Sequence, residues 1–263
     1  MAAVLSRTAD PLAPLLATLT RLDGPALTGL SPSLRIPGLG DGWVSARDLL
    51  DPDSPALDDL LDTAKQRWRA APHAAVALAW KCYSYWASLP AVLSYAVAQR
   101  VPLLTPDAVA VRWSHHQPFL TVGLIRPRVA VLATDPIALS PDPDVVVVPD
   151  LATLHGALRS TLVDAHFEPM LGRLRARVHV GRRTLWGSVA SGVAHGLSRA
   201  ADALPGSTLE TAHEVLSLLD VDDLVDLAPA ETGAGLGVHR RTCCLAFTLP
   251  EPKICTGCVI RSH

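Results

Sequence analysis

The sequence predicts an α+β fold, with helical regions around a small mixed or antiparallel sheet and a cysteine-rich tail at the C-terminus. Three observations predict it. Apolar residues recur at helical spacing over 54–100 and again after Pro149. Between these segments lie four short β-rich runs joined by proline-rich connections. Four of the five cysteines fall in the last twenty-one residues, as Cys243-Cys244, ten residues, then Cys255-Thr256-Gly257-Cys258. With 263 residues, 49% of them hydrophobic, the chain can bury a sizeable core.

Prolines crowd residues 1–55, which predicts one short helix near Pro11–Arg21 followed by irregular chain. The Pro37–Gly42 run is a loop; no Gly-Lys-Ser/Thr follows it, so it is not a phosphate cradle. A helix starts at Ser54, with Pro55 in its first turn and Asp58 and Asp59 at its positive end, and runs to about Ala70. Pro72 starts a second helix reaching Leu89; Pro90 ends or kinks it before a third segment to Arg100. Trp80, Tyr83 and Trp86 recur at helical spacing as core residues, and Cys82 reads as a small buried hydrophobe. Strands are predicted at Asp107–Trp113, Phe119–Ile125, Arg128–Leu132 and Asp144–Val148, the last with a valine run buried on both faces. Trp113, His115 and His116 lie on a loop between the first two. Helices follow at Leu151–Arg175, kinked by Pro169, then Thr184–Asp202 and Leu209–Leu219. His155, His166 and His195 lie on them without a Glu-x-x-His pair, so they do not read as di-iron ligands. The chain divides into an N-terminal helical and sheet region (1–149), a helical region (150–238) and the tail (239–263), which one compact domain can hold together.

A net charge of −2 carries no global basicity for nucleic acid. The N-terminus lacks a signal-peptide layout, because Arg7, Asp10, Pro11 and Pro14 break any apolar run. The eighteen uncharged residues from Cys82 to Gln99 include three tyrosines, three serines and Pro90, and read as buried helix rather than a membrane span. The expectation is a cytoplasmic protein with no transmembrane span, peripheral membrane contact being left open. Charge segregates late in the chain: residues 207–231 hold seven acids and no Lys or Arg, a solvated face, whereas 239–263 hold Arg240, Arg241, Lys253 and Arg261 against Glu251 alone.

Clustered thiolates are soft ligands for zinc or an iron–sulfur cluster. Cys255-x-x-Cys258 is a chelate loop, with Gly257 permitting a tight path. Adjacent Cys243 and Cys244 point apart in extended chain, so both reach one centre only if the backbone bends or the centre is wide. A binuclear cluster is wider than a single ion. Structural zinc and redox thiols remain as alternatives, and ferredoxin spacings are absent.

Cys-Cys-x10-Cys-x2-Cys after Arg240-Arg241 resembles the C-terminal signature of siderophore-iron reductases of the FhuF type. The run Arg183-Thr184-Leu185-Trp186-Gly187-Ser188-Val189-Ala190 is similar to the Leu-Trp-Gly-x-x-Ala helix of that family, shared with the C-terminal half of siderophore synthetases. The likeness covers roughly residues 150–263. It implies a [2Fe–2S] cluster on Cys243, Cys244, Cys255 and Cys258, and one-electron reduction of Fe(III) in a ferric siderophore with release of Fe(II). Arg240, Arg241 and Lys253 are then candidates to dock substrate or donor, or to temper the cluster's charge. No Gly-x-Gly-x-x-Gly follows a strand, so electrons are expected from an external donor such as a ferredoxin or a reductase. The alternative is a zinc-stabilised protein that binds a siderophore or partner without redox activity.

Overall fold

Residues 10–22, 28–230, 235–255 and 257–261 are described by a computed structural model, which confirms a mixed α+β architecture. In chain order come α1 (Ala13–Arg21), β1 (Leu30–Arg35), β2 (Val44–Ser45), α2 (Ala46–Leu50), α3 (Ala56–Trp68) and α4 (Pro72–Ala98). Then follow β3 (Arg100–Pro102), β4 (Val109–Trp113), β5 (Leu120–Leu124), β6 (Val129–Leu132) and β7 (Val145–Val148). The C-terminal half holds α5 (Leu151–Leu158), a π-helical segment (Arg159–Phe167), α6 (Glu168–Arg177), α7 (Arg182–Arg199) and α8 (Thr208–Leu218), then β8 (Val225–Pro229) and β9 (Leu236–Arg240). Among the described residues, no helix is long and apolar enough to cross a membrane.

Helix α4 is the spine. Its 27 residues span about 40 Å, and α1, α3 and α7 all pack on it. Pro72 opens it in the first turn, where no N–H is needed, and Gln99 closes it in the left-handed region (φ 51°). The helix continues through Pro90 instead of ending there, and the residues around it, Leu89 to Tyr95, are buried in the core. Small residues let α7 approach closely: a Cβ on Gly196 would lie 2.6 Å from Leu89 Cδ1. The buried indole of Trp80 donates to the Leu185 carbonyl at 2.8 Å, fixing α4 against α7.

The four expected strands are present but divide between two sheets. β4 and β5 lie in a four-stranded mixed sheet of order β1-β5-β4-β2, and β6 and β7 in a three-stranded mixed sheet of order β3-β6-β7. The segment expected to be irregular before residue 55 contains β1, β2 and α2. Strand β1 escapes notice because it pairs with β5 only around an irregularity, from the sheet edge, where Pro32 is tolerated. Helix α2 is short, but its Ser45–Asp48 capping box is complete. The valine run is not buried on both faces. β7 is an edge strand, so Val147 is 48% exposed and only Val148 is buried.

The helix expected over Leu151–Arg175 is continuous, but its middle turns have π geometry. Pro169 lies where the π-helical turns give way to the first turn of α6. The wider turns bring neighbouring His166 and Phe167 both fully inside. The region expected to be helical to 238 contains β8 and the start of β9, so a boundary at 238/239 falls within a strand. One hydrophobic cluster runs from Leu12 to Val238, joining the first two regions in a single core. A smaller one, Leu78, Cys244, Ala246 and Leu249, seats the tail on the first part of α4.

Trp80 and Tyr83 are buried in the core; Trp86 is half-buried against it. Buried His166 accepts from the Tyr83 hydroxyl on Nε2, and its Nδ1–H donates to the Leu104 carbonyl at 2.8 Å, the tautomer being assigned from these partners. Burial lowers its pKa to about 4, against a smaller opposing effect of the Leu104 bond. The unfolded chain therefore takes up this proton first. The resulting stability is complete above the unfolded value near 6.5 and is lost as pH falls toward 4, by about 3 kcal/mol. Urea unfolding between pH 7 and pH 5 should show about 2 kcal/mol of this loss, and His166→Gln should flatten it while lowering stability at pH 7.

Candidate metal centre

The tail's path is set by one buried cation. Arg240, at the end of β9, is 5% exposed. It donates to Ser191 Oγ (2.8 Å), Ser188 Oγ (3.2 Å) and the Thr242 carbonyl (3.2 Å), strapping the turn before Cys243 onto α7. Among the described residues it makes no ion pair with a carboxylate. Gly187, on the same face of α7, is where the tail touches: a Cβ there would lie 1.8 Å from Thr242 Oγ1. The glycine of the Leu-Trp-Gly run and the arginine before the cysteines are thus two sides of one contact. Thr242 Oγ1 is buried beside Cys243 with no protein partner.

The backbone then bends as the adjacent cysteines require. Leu245 takes the left-handed conformation (φ 64°), and its N–H donates to the Cys243 sulfur at 3.3 Å. The next N–H, of Ala246, lowers the pKa of the Cys244 thiol. The second pair returns over β9, where the Arg240 N–H donates to the Gly257 carbonyl at 2.9 Å. Gly257 has φ 70°, and a Cβ on it would lie 1.9 Å from the Val238 carbonyl oxygen, so no side chain fits. Thr256, within the chelate loop, lies outside the described residues.

Cys244 and Cys258 are buried, and Cys243 and Cys255 are half-buried. The four thiols form one electrostatic group: the charges of Cys244 and Cys258 act on both Cys243 and Cys255. Burial and then neighbouring thiolates push Cys255 up. Burial also pushes Cys243 up, against the Leu245 N–H. For Cys244, burial raises the pKa, but Lys81, the Ala246 N–H and Arg240 outweigh it and hold this thiol below the usual range. Among the described residues, no group of three or more His, Cys, Asp or Glu is arranged to hold a metal. What the tail offers is a donor set of the right chemistry, four sulfurs acting on one another's charge, with Lys81 and Arg240 acting on them in turn.

The three basic candidates have separate fates. Arg240 cannot dock a partner, because it is buried and fully engaged with α7 and the tail. Arg241 is exposed but paired with Asp226, at 2.5 Å and 3.0 Å, within the run read as a solvated acidic face. Lys253 is exposed and lines a hollow of about 290 Å³ with Arg67, Trp68 and Arg69. Lys81, on α4, was not legible as a site residue; it acts on both Cys244 and Cys255. His195 shares these surroundings, held down by burial and then by Lys81, Arg199 and Arg240. Cys82 stands apart from the four, its thiol pushed up to about 11 by burial. The His115 carbonyl accepts from Arg67, and the Trp113 indole donates to Asp59 at 3.0 Å, tying that loop to α3. His155 meets Tyr95 at 2.7 Å, away from the sulfurs. A larger hollow of about 550 Å³ has Trp186 in its wall, with Arg182–Glu168 and Arg183–Asp223 pairs across it.

Gly187→Ala should therefore loosen the tail. The expected cost is about 1–3 kcal/mol of stability, read by thermal melting, with faster alkylation of buried Cys244 in the metal-free protein. Unchanged alkylation would separate Gly187 from the cysteine patch. Compared with known proteins, the chain matches no family model and no curated protein, so the assignment of this centre rests on the cysteine spacing and the geometry.

Proposed function

We propose that the protein is a cytoplasmic ferric-siderophore reductase whose Cys243, Cys244, Cys255 and Cys258 hold a [2Fe–2S] cluster. The observation that carries this reading is the buried Arg240, which has no carboxylate partner among the described residues. A buried cation is costly unless negative charge lies nearby, and its charge acts on Cys243 and Cys244, the first two thiols after it in the chain, as well as on His195. That favours thiolates, held by a metal centre, over four neutral thiols.

Such a cluster on four thiolates supplies a single electron at low potential, about −400 mV in the plant type. The protein's own part is positional. The Leu245 N–H donates to the Cys243 sulfur, and the Ala246 N–H favours charge on Cys244. Arg240 and Lys81 set a positive field behind the patch. The apolar seat of Leu78, Ala246 and Leu249 keeps water from Cys244. Overall, one electron from an external donor protein, a ferredoxin or a reductase, converts the substrate's Fe(III) to Fe(II). Hard oxygen donors hold Fe(II) weakly, so the iron is released without any bond to carbon being broken.

The test is a single-turnover assay. Protein reduced anaerobically and freed of reductant should yield about one Fe(II) per chain from a ferric siderophore, captured by a ferrous chelator. Cys255→Ser should abolish the yield. A full yield from that variant, or none from the native chain carrying its metal, would end the reading. Lys81→Met should lower the midpoint potential, on the order of tens of mV, which redox titration would detect.

A further inference from the structure

The hollow beside Lys253 carries an unbalanced charge that the fold leaves unused. Arg67, Arg69 and Lys253 face it against Glu251 alone. Among the described residues, the side chains of Arg69 and Lys253 make no hydrogen bond or ion pair. Arg67 donates to the His115 carbonyl, but its Nε is buried with no partner. Arg69 sits at the left-handed cap of α3 (φ 47°, ψ 39°), where glycine is the unstrained choice. The helix dipole explains cations at this end of α3, but not the orphaned Nε.

The hollow borders the cysteine patch. Trp68, in its wall, packs against the Leu78–Cys244–Ala246–Leu249 cluster alongside Cys255. Lys253 is two residues from Cys255, and its N–H donates to the Ala246 carbonyl at 3.1 Å. A group seated in this hollow is therefore one aromatic layer from the thiols.

We propose that this hollow receives the anionic rim of the substrate, and that the substrate class is the negatively charged ferric chelates, of catecholate or carboxylate type, rather than the neutral hydroxamates. The inference rests on the reductase reading above. At about 290 Å³ the hollow lies at the small end of ligand sites, so one chelating arm enters it and the metal stays at the mouth beside Trp68. Arg69 and Lys253 supply charge-assisted donors to that arm, and Arg67 adds its positive charge at the wall.

The experiment is calorimetric titration of the intact protein with redox-inert gallium(III) complexes. An anionic gallium tris-catecholate should bind about tenfold or more tightly than a neutral gallium trihydroxamate, more weakly as salt rises. The double variant Arg69→Glu/Lys253→Glu should lose about tenfold or more for the anion and nothing for the neutral complex. Arg69→Gln/Lys253→Gln serves if charge reversal impairs folding. Equal affinity for both complexes, or unchanged anion binding in a folded variant, would overturn the proposal. So would a variant that keeps anion binding but accepts electrons more slowly from a ferredoxin, since that marks a donor dock. The two readings fail separately: a chain without a cluster that still binds the anion removes the reductase, whereas a working reductase indifferent to chelate charge removes this site.

Discussion

The C-terminal third of this protein depends on the burial of one guanidinium. Arg240 carries its charge into the seam between β9 and α7, where, among the described residues, it meets two serine hydroxyls and a backbone carbonyl. These take one hydrogen bond from each guanidinium nitrogen without neutralising it. The cysteine patch alongside is where negative charge can reside. Strap and patch are linked: the arginine fixes the turn before Cys243, and its charge acts on the Cys243 and Cys244 thiols. Two glycines make room for the arrangement, Gly187 under Thr242 and Gly257 over Val238.

The basic residues of this end of the molecule fall into three roles that composition alone merges. Arg240 and Lys81 lie behind the sulfurs and act on their charge. Arg241 is bound to Asp226, so it stitches the tail to β8. Lys253 faces outward with Arg67 and Arg69. A charge cluster in the sequence thus becomes a buried layer, a structural pair and an open rim.

What was legible in the sequence follows from how local each signal is. The helices of α3, α4, α7 and α8 carry local signals, Pro55 and Pro72 at the starts of the first two, Ser207 capping α8 and apolar spacing throughout, and their ends were placed within a few residues. Strands β4 to β7 were legible as β-rich runs, but not their division between two sheets, which depends on pairings remote in sequence. Strand β1 was hidden by Pro32 and by pairing at an edge; β8 and β9 were hidden by acidic and glycine-rich surroundings. The valine run misled because apolar content reports which residues tolerate burial, not how many neighbours a strand finds. The π-helical turns leave no sequence mark beyond an unusual adjacency of inward residues, His166 and Phe167. At the site, the cysteines and the Leu-Trp-Gly run were both visible, but not that Gly187 and Thr242 touch. Lys81 was invisible because one helical lysine is ordinary until the fold sets it beside two thiols. Arg240 was visible as a charge, and its burial was not.

The account stands or falls on what the four cysteines hold. Iron, acid-labile sulfide and zinc should be determined on protein purified without oxygen from iron-replete cells, together with its visible spectrum. The account predicts two irons and two sulfides per chain, with absorption bands that bleach on dithionite and return on reoxidation. One zinc per chain, no sulfide and no visible colour would contradict it, and would make the tail a structural clip on a binding domain.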